Sequence, residues 1–166
     1  NHAVYVLNQA PNSQLSSGLH YTLDDGQTWA QSRAQGLSGA LIQIAVHPTE
    51  ANVVALATEG GLYLSNDYGN NFTQVGQIAP ITSASFDPDG SRLYFGHQGL
   101  NAYNLENGEI DSLQIPTVAG DDAIGFIASN PVSDEIAFAT YNKDIYLSAD
   151  NGESWEQIAQ KGVGES

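Results

Sequence analysis

A turn motif with the pattern Ser/Thr-x-Asp-x-Gly-x-x-aromatic occurs three times and constrains the fold more than any other feature of the chain. Its copies span 22–29, 65–72 and 148–155. The first two aspartates, Asp24 and Asp67, are 43 positions apart, and Asp150 follows after 83, about twice that period. A fourth, degenerate copy at 103–110 keeps Gly108 but has lost the Ser/Thr and the Asp. The chain is therefore a tandem repeat of about forty residues.

A second marker repeats with the same period. His47-Pro48, Asp87-Pro88 and Asn130-Pro131 each follow a stretch of alternating apolar residues, with gaps of 40 and 43 between the prolines. Each unit contains four short segments of period two, which predict four antiparallel strands, and no helical period competes.

Four strands per forty-residue unit are typical of a propeller blade. We therefore predict an all-β chain, a β-propeller of four-stranded antiparallel blades with about four blade repeats. The whole of 1–166 is expected to form one partial domain, with blades at approximately 1–36, 37–78, 79–118 and 119–162. The first unit shows only three strands and lacks its innermost one.

The residue types of the turn motif have a structural explanation. Glycine adopts the positive φ of a tight turn. A short acidic side chain accepts hydrogen bonds from its own turn. The aromatic residue packs between strands. We assign this structural role, rather than ligand or metal binding, to Thr22, Asp24, Gly26, Trp29, Ser65, Asp67, Gly69, Phe72, Ser148, Asp150, Gly152 and Trp155.

The three turns resemble the Asp-box of the bacterial neuraminidase repeat (BNR) superfamily. That superfamily includes sialidases, sortilin-type receptors, xyloglucan-degrading enzymes and photosystem II assembly factors. The stretch 46–75 resembles the repeats of bacterial glycosyl hydrolase-like propellers. The resemblance covers nearly the whole chain and implies a β-propeller that binds proteins or glycans.

The charge and composition of the chain exclude some classes of binding partner. Four Lys and Arg residues stand against 19 Asp and Glu, which gives a net charge of −15. Nucleic acids and anionic membranes need basic residues, and no apolar run is long enough to cross a bilayer. We expect no nucleic-acid partner and no membrane insertion.

Cysteine is absent and the four histidines are scattered, so no cofactor or metal site is predicted. The acidity indicates a solvated surface, with cation capture as the alternative. The lysine-poor composition favours a periplasmic or secreted protein.

The catalytic residues of sialidases cannot be carried over to this chain. Those enzymes bind the substrate carboxylate with three arginines, whereas this chain has only Arg33 and Arg92. A generic glycosidase needs two carboxylates about 5 to 10 Å apart. Asp121 and Asp122 are candidates because they precede an inner strand, near the expected channel mouth. The alternative is that they belong to a polar loop that caps the strand.

The sequence favours a binding or assembly scaffold, with a protein or glycan ligand held by loops at one rim. The alternative is a glycoside hydrolase-like enzyme whose active site lies partly in blades outside this chain. Self-association or further blades of a longer chain would complete the ring. Tyrosines recur on the third strand of every unit, at 21, 63, 103 and 146. This position favours packing between blades over a carbohydrate-stacking platform.

Overall fold

The computed structural model describes residues 3–8, 18–118, 120 and 122–160. Within these residues the chain forms fifteen strands and no helix, so no described helix could cross a membrane. All strand pairs are antiparallel between sequence neighbours, and they form one three-stranded and three four-stranded sheets. This architecture is the predicted all-β fold.

The sheets are numbered in chain order. Sheet 1 contains β1 (Val4–Asn8), β2 (Gly18–Thr22) and β3 (Ala30–Gln31). Sheet 2 contains β4 (Leu41–Val46), β5 (Val54–Thr58), β6 (Gly61–Ser65) and β7 (Thr73–Val75). Sheet 3 contains β8 (Ser83–Phe86), β9 (Arg92–Gly96), β10 (Leu100–Asn104) and β11 (Ile110–Ser112). Sheet 4 contains β12 (Ile124–Ser129), β13 (Ile136–Thr140), β14 (Ile145–Ser148) and β15 (Glu156–Ala159).

The first strands of consecutive four-stranded sheets lie side by side. Strand β8 packs between β4 and β12, and each sheet then extends outward by short turns. The turn motif of sheet 1 joins β2 to β3, whereas in sheets 2 and 4 it joins the third strand to the fourth. The described part of sheet 1 therefore has no strand that corresponds to the inner strands β4, β8 and β12. The molecule is therefore a partial β-propeller with its axis at β4, β8 and β12.

Packing between sheets follows the period of two. In β9, Leu93 and Phe95 face sheet 2, whereas Tyr94 between them faces sheet 4. All three side chains are fully buried. Because both faces of sheets 2 and 3 are covered, their strands are apolar in continuous runs rather than in alternation. Each buried aromatic or aliphatic side chain stabilises the fold by about 1.5–3 kcal/mol.

The inner strands of sheets 3 and 4 have backbone N–H groups that are not paired with another strand. Side chains from the preceding sheet accept hydrogen bonds from them. The N–H of Ala84 donates to Oε1 of Gln43 (2.9 Å), and the N–H of Ile127 donates to Oγ of Ser83 (2.8 Å). Gln43 and Ser83 occupy equivalent positions, because each lies four residues before the first residue of a proline turn, His47 and Asp87 respectively. Polar side chains near the axis thus join neighbouring sheets.

Removing one of these acceptors tests the joint between sheets. We expect Ser83→Ala to lower the free energy of unfolding by about 1–3 kcal/mol, because the buried N–H of Ile127 loses its partner. Chemical denaturation of the purified chain measures this change. Ser112→Ala is the matched control, since Ser112 is exposed and its hydroxyl bonds only to the Asn101 side chain. Equal stability of both variants would contradict this role of Ser83.

Candidate functional site

The propeller has two faces that differ in their loops. One face contains the turns between first and second strands and the Ser/Thr-Asp-Gly turns between third and fourth strands; we call it the acidic-turn face. The other contains the turns between second and third strands and the connections between sheets; we call it the connection face. The alternation follows from the antiparallel order of strands within each sheet.

The first acidic turn uses its side chains internally. Thr22 Oγ1 donates to Asp24 Oδ1 (2.7 Å) and accepts from the N–H of Gly26 (3.0 Å). Asp24 Oδ1 also accepts from the N–H of Thr28 (2.8 Å), and Oδ2 accepts from the Thr28 hydroxyl. Gly26 has a φ of 87°. The Asp24 carboxylate therefore accepts hydrogen bonds from within its own turn.

The other two turns repeat this network. Ser65 and Ser148 take the place of Thr22, and Asp67 and Asp150 take the place of Asp24. Hydrogen bonds from Thr28 and Thr22 lower the pKa of Asp24 to about 2, and those from Ser154 and Ser148 lower the pKa of Asp150 to about 2. The degenerate fourth copy uses Asn104, whose Oδ1 accepts from the N–H groups of two following residues.

The aromatic residues that close the turns differ in burial. Phe72 is buried between sheets 1 and 2 beside Leu19. Trp155 packs edge-on against Phe138, with ring centroids 5.0 Å apart. Trp29 differs from the expected plug because it is 47% exposed. Phe72 and Trp155 both pack toward the preceding sheet, and in the described residues no sheet precedes sheet 1.

Asp122 is a buried carboxylate on the connection face, just before β12. Its Oδ1 accepts from the N–H groups of Ala123 (2.8 Å) and Asn142 (3.1 Å). Burial alone would raise the pKa of Asp122, but hydrogen bonds from Thr140, Ala123 and Asn142 outweigh it and the pKa is lowered. Asp122 therefore joins the connection before β12 to the turn after β13. Its neighbour Asp121 lies outside the described residues.

Two exposed aromatic side chains lie on or directly after strands of sheet 4, which no described sheet follows. Tyr141 is 58% exposed and directly follows β13, and its backbone N–H donates to Ala123 O. Phe126 is 67% exposed on β12 and pairs with Ala139, two residues before Tyr141. We call Asp122, Phe126, Tyr141 and Asn142 the sheet-4 rim. An aromatic surface beside polar groups can bind the apolar face of a sugar ring while the polar groups bind its hydroxyls.

Sequence reasoning missed the two aromatic residues of this rim, although a signal was available. Phe126 occupies the position of Gln43 and Ser83 in the inner strands, where each of those residues accepts an N–H from the next sheet. Phenylalanine has no acceptor. Aligning the inner strands would have shown that this unit departs from the repeat.

The two arginines lie at or near different sheets. Arg92 begins β9 of sheet 3, and Arg33 follows β3 of sheet 1. Both are exposed. In the described residues no group of three or more His, Asp or Glu side chains is arranged to hold a metal ion.

Comparisons with known proteins point to glycoside hydrolases. No family model matches the chain. A xyloglucanase of Hypocrea jecorina (strain QM6a) is 27% identical over 138 residues, which covers 68% of this chain and 16% of that protein. Two solved structures are similar over 86% of this chain with a TM-score of 0.63: an ancestral GH74 enzyme (17% identical) and the GH74 xyloglucanase from Xanthomonas campestris (19% identical).

The similarity to solved structures supports the fold. The chain spans 21% and 27% of those two structures, as expected for a partial β-propeller, and the predicted fold class is confirmed. The similar proteins are xyloglucanase-type glycoside hydrolases, which favours the hydrolase-like alternative over the pure scaffold that the sequence favoured.

The acidic turns predict a specific dependence of stability on pH. The pKa of Asp24 is about 2 in the folded chain and 3.8 without its partners. The stabilising contribution of the ionised group is therefore present above pH 3.8 and lost as the pH falls through about 2. We expect Asp24→Asn to be less stable than the wild type near neutral pH, with the difference shrinking toward pH 2.

Denaturation curves recorded across this pH range measure the difference. Asp25→Asn is the matched control, because Asp25 is exposed while the side-chain hydrogen bonds of the turn converge on Asp24. A difference between wild type and Asp24→Asn that stayed constant with pH would show that the ionised carboxylate does not stabilise the turn.

Proposed function

We propose that this chain is part of a glycoside hydrolase-like β-propeller that binds a xyloglucan-type polysaccharide at the sheet-4 rim. The observation that carries the proposal is the 27% identity to a xyloglucanase over 138 residues. The propeller fold and its GH74 neighbours support it.

The rim suits a polysaccharide for chemical reasons. Phe126 and Tyr141 expose ring faces on which sugar rings can stack, and the backbone around Asp122 and Asn142 supplies polar groups. Because Tyr141 packs against Gly125, where an added Cβ would lie 3.3 Å from its ring, the aromatic surface is held in place. Binding therefore needs little ordering of the protein.

Asp122 fits some catalytic roles better than others. A glycosidase general acid needs a raised pKa so that it stays protonated, whereas the pKa of Asp122 is lowered. An ionised Asp122 suits a base, a nucleophile or a group that positions the substrate. Hydrogen bonds also lower the pKa values of four other carboxyl groups in the described residues: Asp24, Asp67, Asp89 and Asp150. We assign the general acid to Asp121 or to a part of the enzyme outside this chain.

The scaffold function remains the second candidate. It is favoured by the commitment of the acidic-turn carboxylates to their own turns and by the hydrogen bonds that hold Asp122 in a structural position. On this reading the chain binds a glycan or protein and catalyses nothing.

We also propose the type of the repeat, the bounds of its blades and the location of the protein. We assign the acidic turns to the Asp-box type of the BNR superfamily, and the blades to 1–36, 37–78, 79–118 and 119–162. We also assign an extracytoplasmic location, periplasmic or secreted, because polysaccharide substrates lie outside the cytoplasm.

Binding at the rim is tested with a xyloglucan oligosaccharide and isothermal titration calorimetry. We expect Tyr141→Ala and Phe126→Ala each to weaken binding by about tenfold, equivalent to about 1.4 kcal/mol. Both side chains are exposed, so folding should be little affected. Trp29→Ala is the matched control, because Trp29 is a similarly exposed aromatic on the acidic-turn face. Unchanged affinity in both rim variants, or a loss only in Trp29→Ala, would contradict this location.

Turnover separates the two candidate functions. Release of reducing ends from xyloglucan by the chain, lost in Asp122→Asn while the oligosaccharide still binds, would favour hydrolysis. Turnover by the isolated chain is expected if Asp121 is the general acid, whereas binding without turnover would assign the general acid to a part of the enzyme outside this chain. Absence of both binding and turnover would contradict the proposed function.

A further inference from the structure

Strand β1 lies at an edge of its sheet but does not have the composition of an edge strand. Its strand partner is β2, on one side only. Exposed edges are usually short or carry charges, prolines or bulges, because their unpaired N–H and C=O groups can otherwise pair with another chain. The outer edge strands β3, β7 and β11 have two or three residues, and β15 begins with Glu156. In contrast, β1 has five residues without a charge or a proline, and its pairing with β2 has no bulge.

The register of sheet 1 places β1 in the position of a second strand. Val4 pairs with Thr22, which begins an acidic turn, as Val54 of β5 pairs with Ser65. Strand β5 is paired on both sides, with β4 and β6, and all five of its residues are buried. No residue of β1 is fully buried. The free edge of β1 is therefore the edge at which β5 pairs with its inner strand.

Strand β4 gives an independent indication of the same position. The inner strands of sheets 3 and 4 each donate one N–H to a side chain of the preceding inner strand, from Ala84 to Gln43 and from Ile127 to Ser83. Ile44 has the equivalent position in β4, three residues before a proline turn. The strand that would supply its acceptor is not among the described strands. Ile44 is also partly exposed, whereas Ala84 and Ile127 are buried.

We propose that the free edge of β1 binds an extended segment of the inner-strand type, which completes sheet 1 as β4 completes sheet 2. The segment runs antiparallel to β1 and pairs with Tyr5 and Leu7, whose counterparts Ala55 and Ala57 pair with β4. Opposite Leu7 it carries an acceptor side chain such as Gln or Ser, which binds the N–H of Ile44. In strand addition of this kind, main-chain hydrogen bonds supply affinity and alternate side chains supply selectivity.

A synthetic peptide with the sequence of residues 40–48 is the probe, with two lysines added at its N-terminus for solubility. Nuclear magnetic resonance titration of the isotopically labelled chain follows its binding. We expect saturable shifts of the Tyr5, Leu7 and Ile44 amides, with the Ile44 amide proton moving downfield as it gains an acceptor. A peptide of the same composition in scrambled order controls for attraction of the lysines to a chain of net charge −15, and should not cause these shifts.

Three altered peptides make the test specific. Gln43→Leu in the peptide removes the acceptor, so binding should weaken about three- to tenfold and the downfield shift of the Ile44 amide should disappear. N-methylation at the peptide's Ala45 should abolish binding, because in β4 the N–H of this residue points toward the second strand. N-methylation at the peptide's Ile44 is the matched control, because successive N–H groups of a strand point to opposite sides. This peptide should bind like the unmodified one.

The proposal is overturned if the Tyr5 and Leu7 amides do not respond, if the scrambled peptide binds equally well, or if the two N-methylated peptides bind alike. It is also overturned if another occupant is found. Sedimentation of the chain as a dimer, with β1 amides that shift on dilution, would assign the edge to a second copy. Shifts of the same amides when residues 161–166 are removed would assign the edge to that segment. None of these residues belongs to the sheet-4 rim, so the polysaccharide proposal is tested separately.

Discussion

The structure depends on how the backbone N–H groups at the inner edges of the sheets are hydrogen-bonded. Strands at the axis of a propeller have no strand partner on one side, and their buried N–H groups must still be hydrogen-bonded. Here the acceptor is a side chain of the preceding sheet: Gln43 for Ala84, and Ser83 for Ile127. Each sheet is thereby placed relative to the one before it, with an offset of 41 and 44 residues. The apolar faces then close over this polar contact.

Because the units repeat regularly, most of their side chains are used in packing or within turns, and few can bind a ligand. Both faces of sheets 2 and 3 are buried by neighbours, and the aspartates of the acidic turns are bonded within their turns. The proposed polysaccharide site includes a position at which one unit departs from this pattern, because Phe126 takes the place of an acceptor of the inner strand.

Much of the fold could be predicted from the sequence, because a period of about forty residues and alternating apolar residues are local signals. The alternating apolar stretches that precede His47-Pro48 and Asp87-Pro88 form β4 and β8, whereas Ile81 packs in the core without belonging to a strand. The exposure of Trp29 was not predictable, since it depends on which sheet lies beside it. The site was harder to predict: the pKa of Asp122 is lowered by hydrogen bonds from Thr140, Ala123 and Asn142, and only the folded chain brings Asn142, 20 residues away, to Asp122.

The central claim is that successive repeats are sheets joined side by side at one axis. Nuclear Overhauser measurements on the isotopically labelled chain test it most directly. The structure predicts contacts between the Ser83 side chain and the Ile127 amide proton, and between the Gln43 side chain and the Ala84 amide proton. Amide protons of β8 and β12 that contact only their own sheets, with no signal between sheets, would contradict the arrangement.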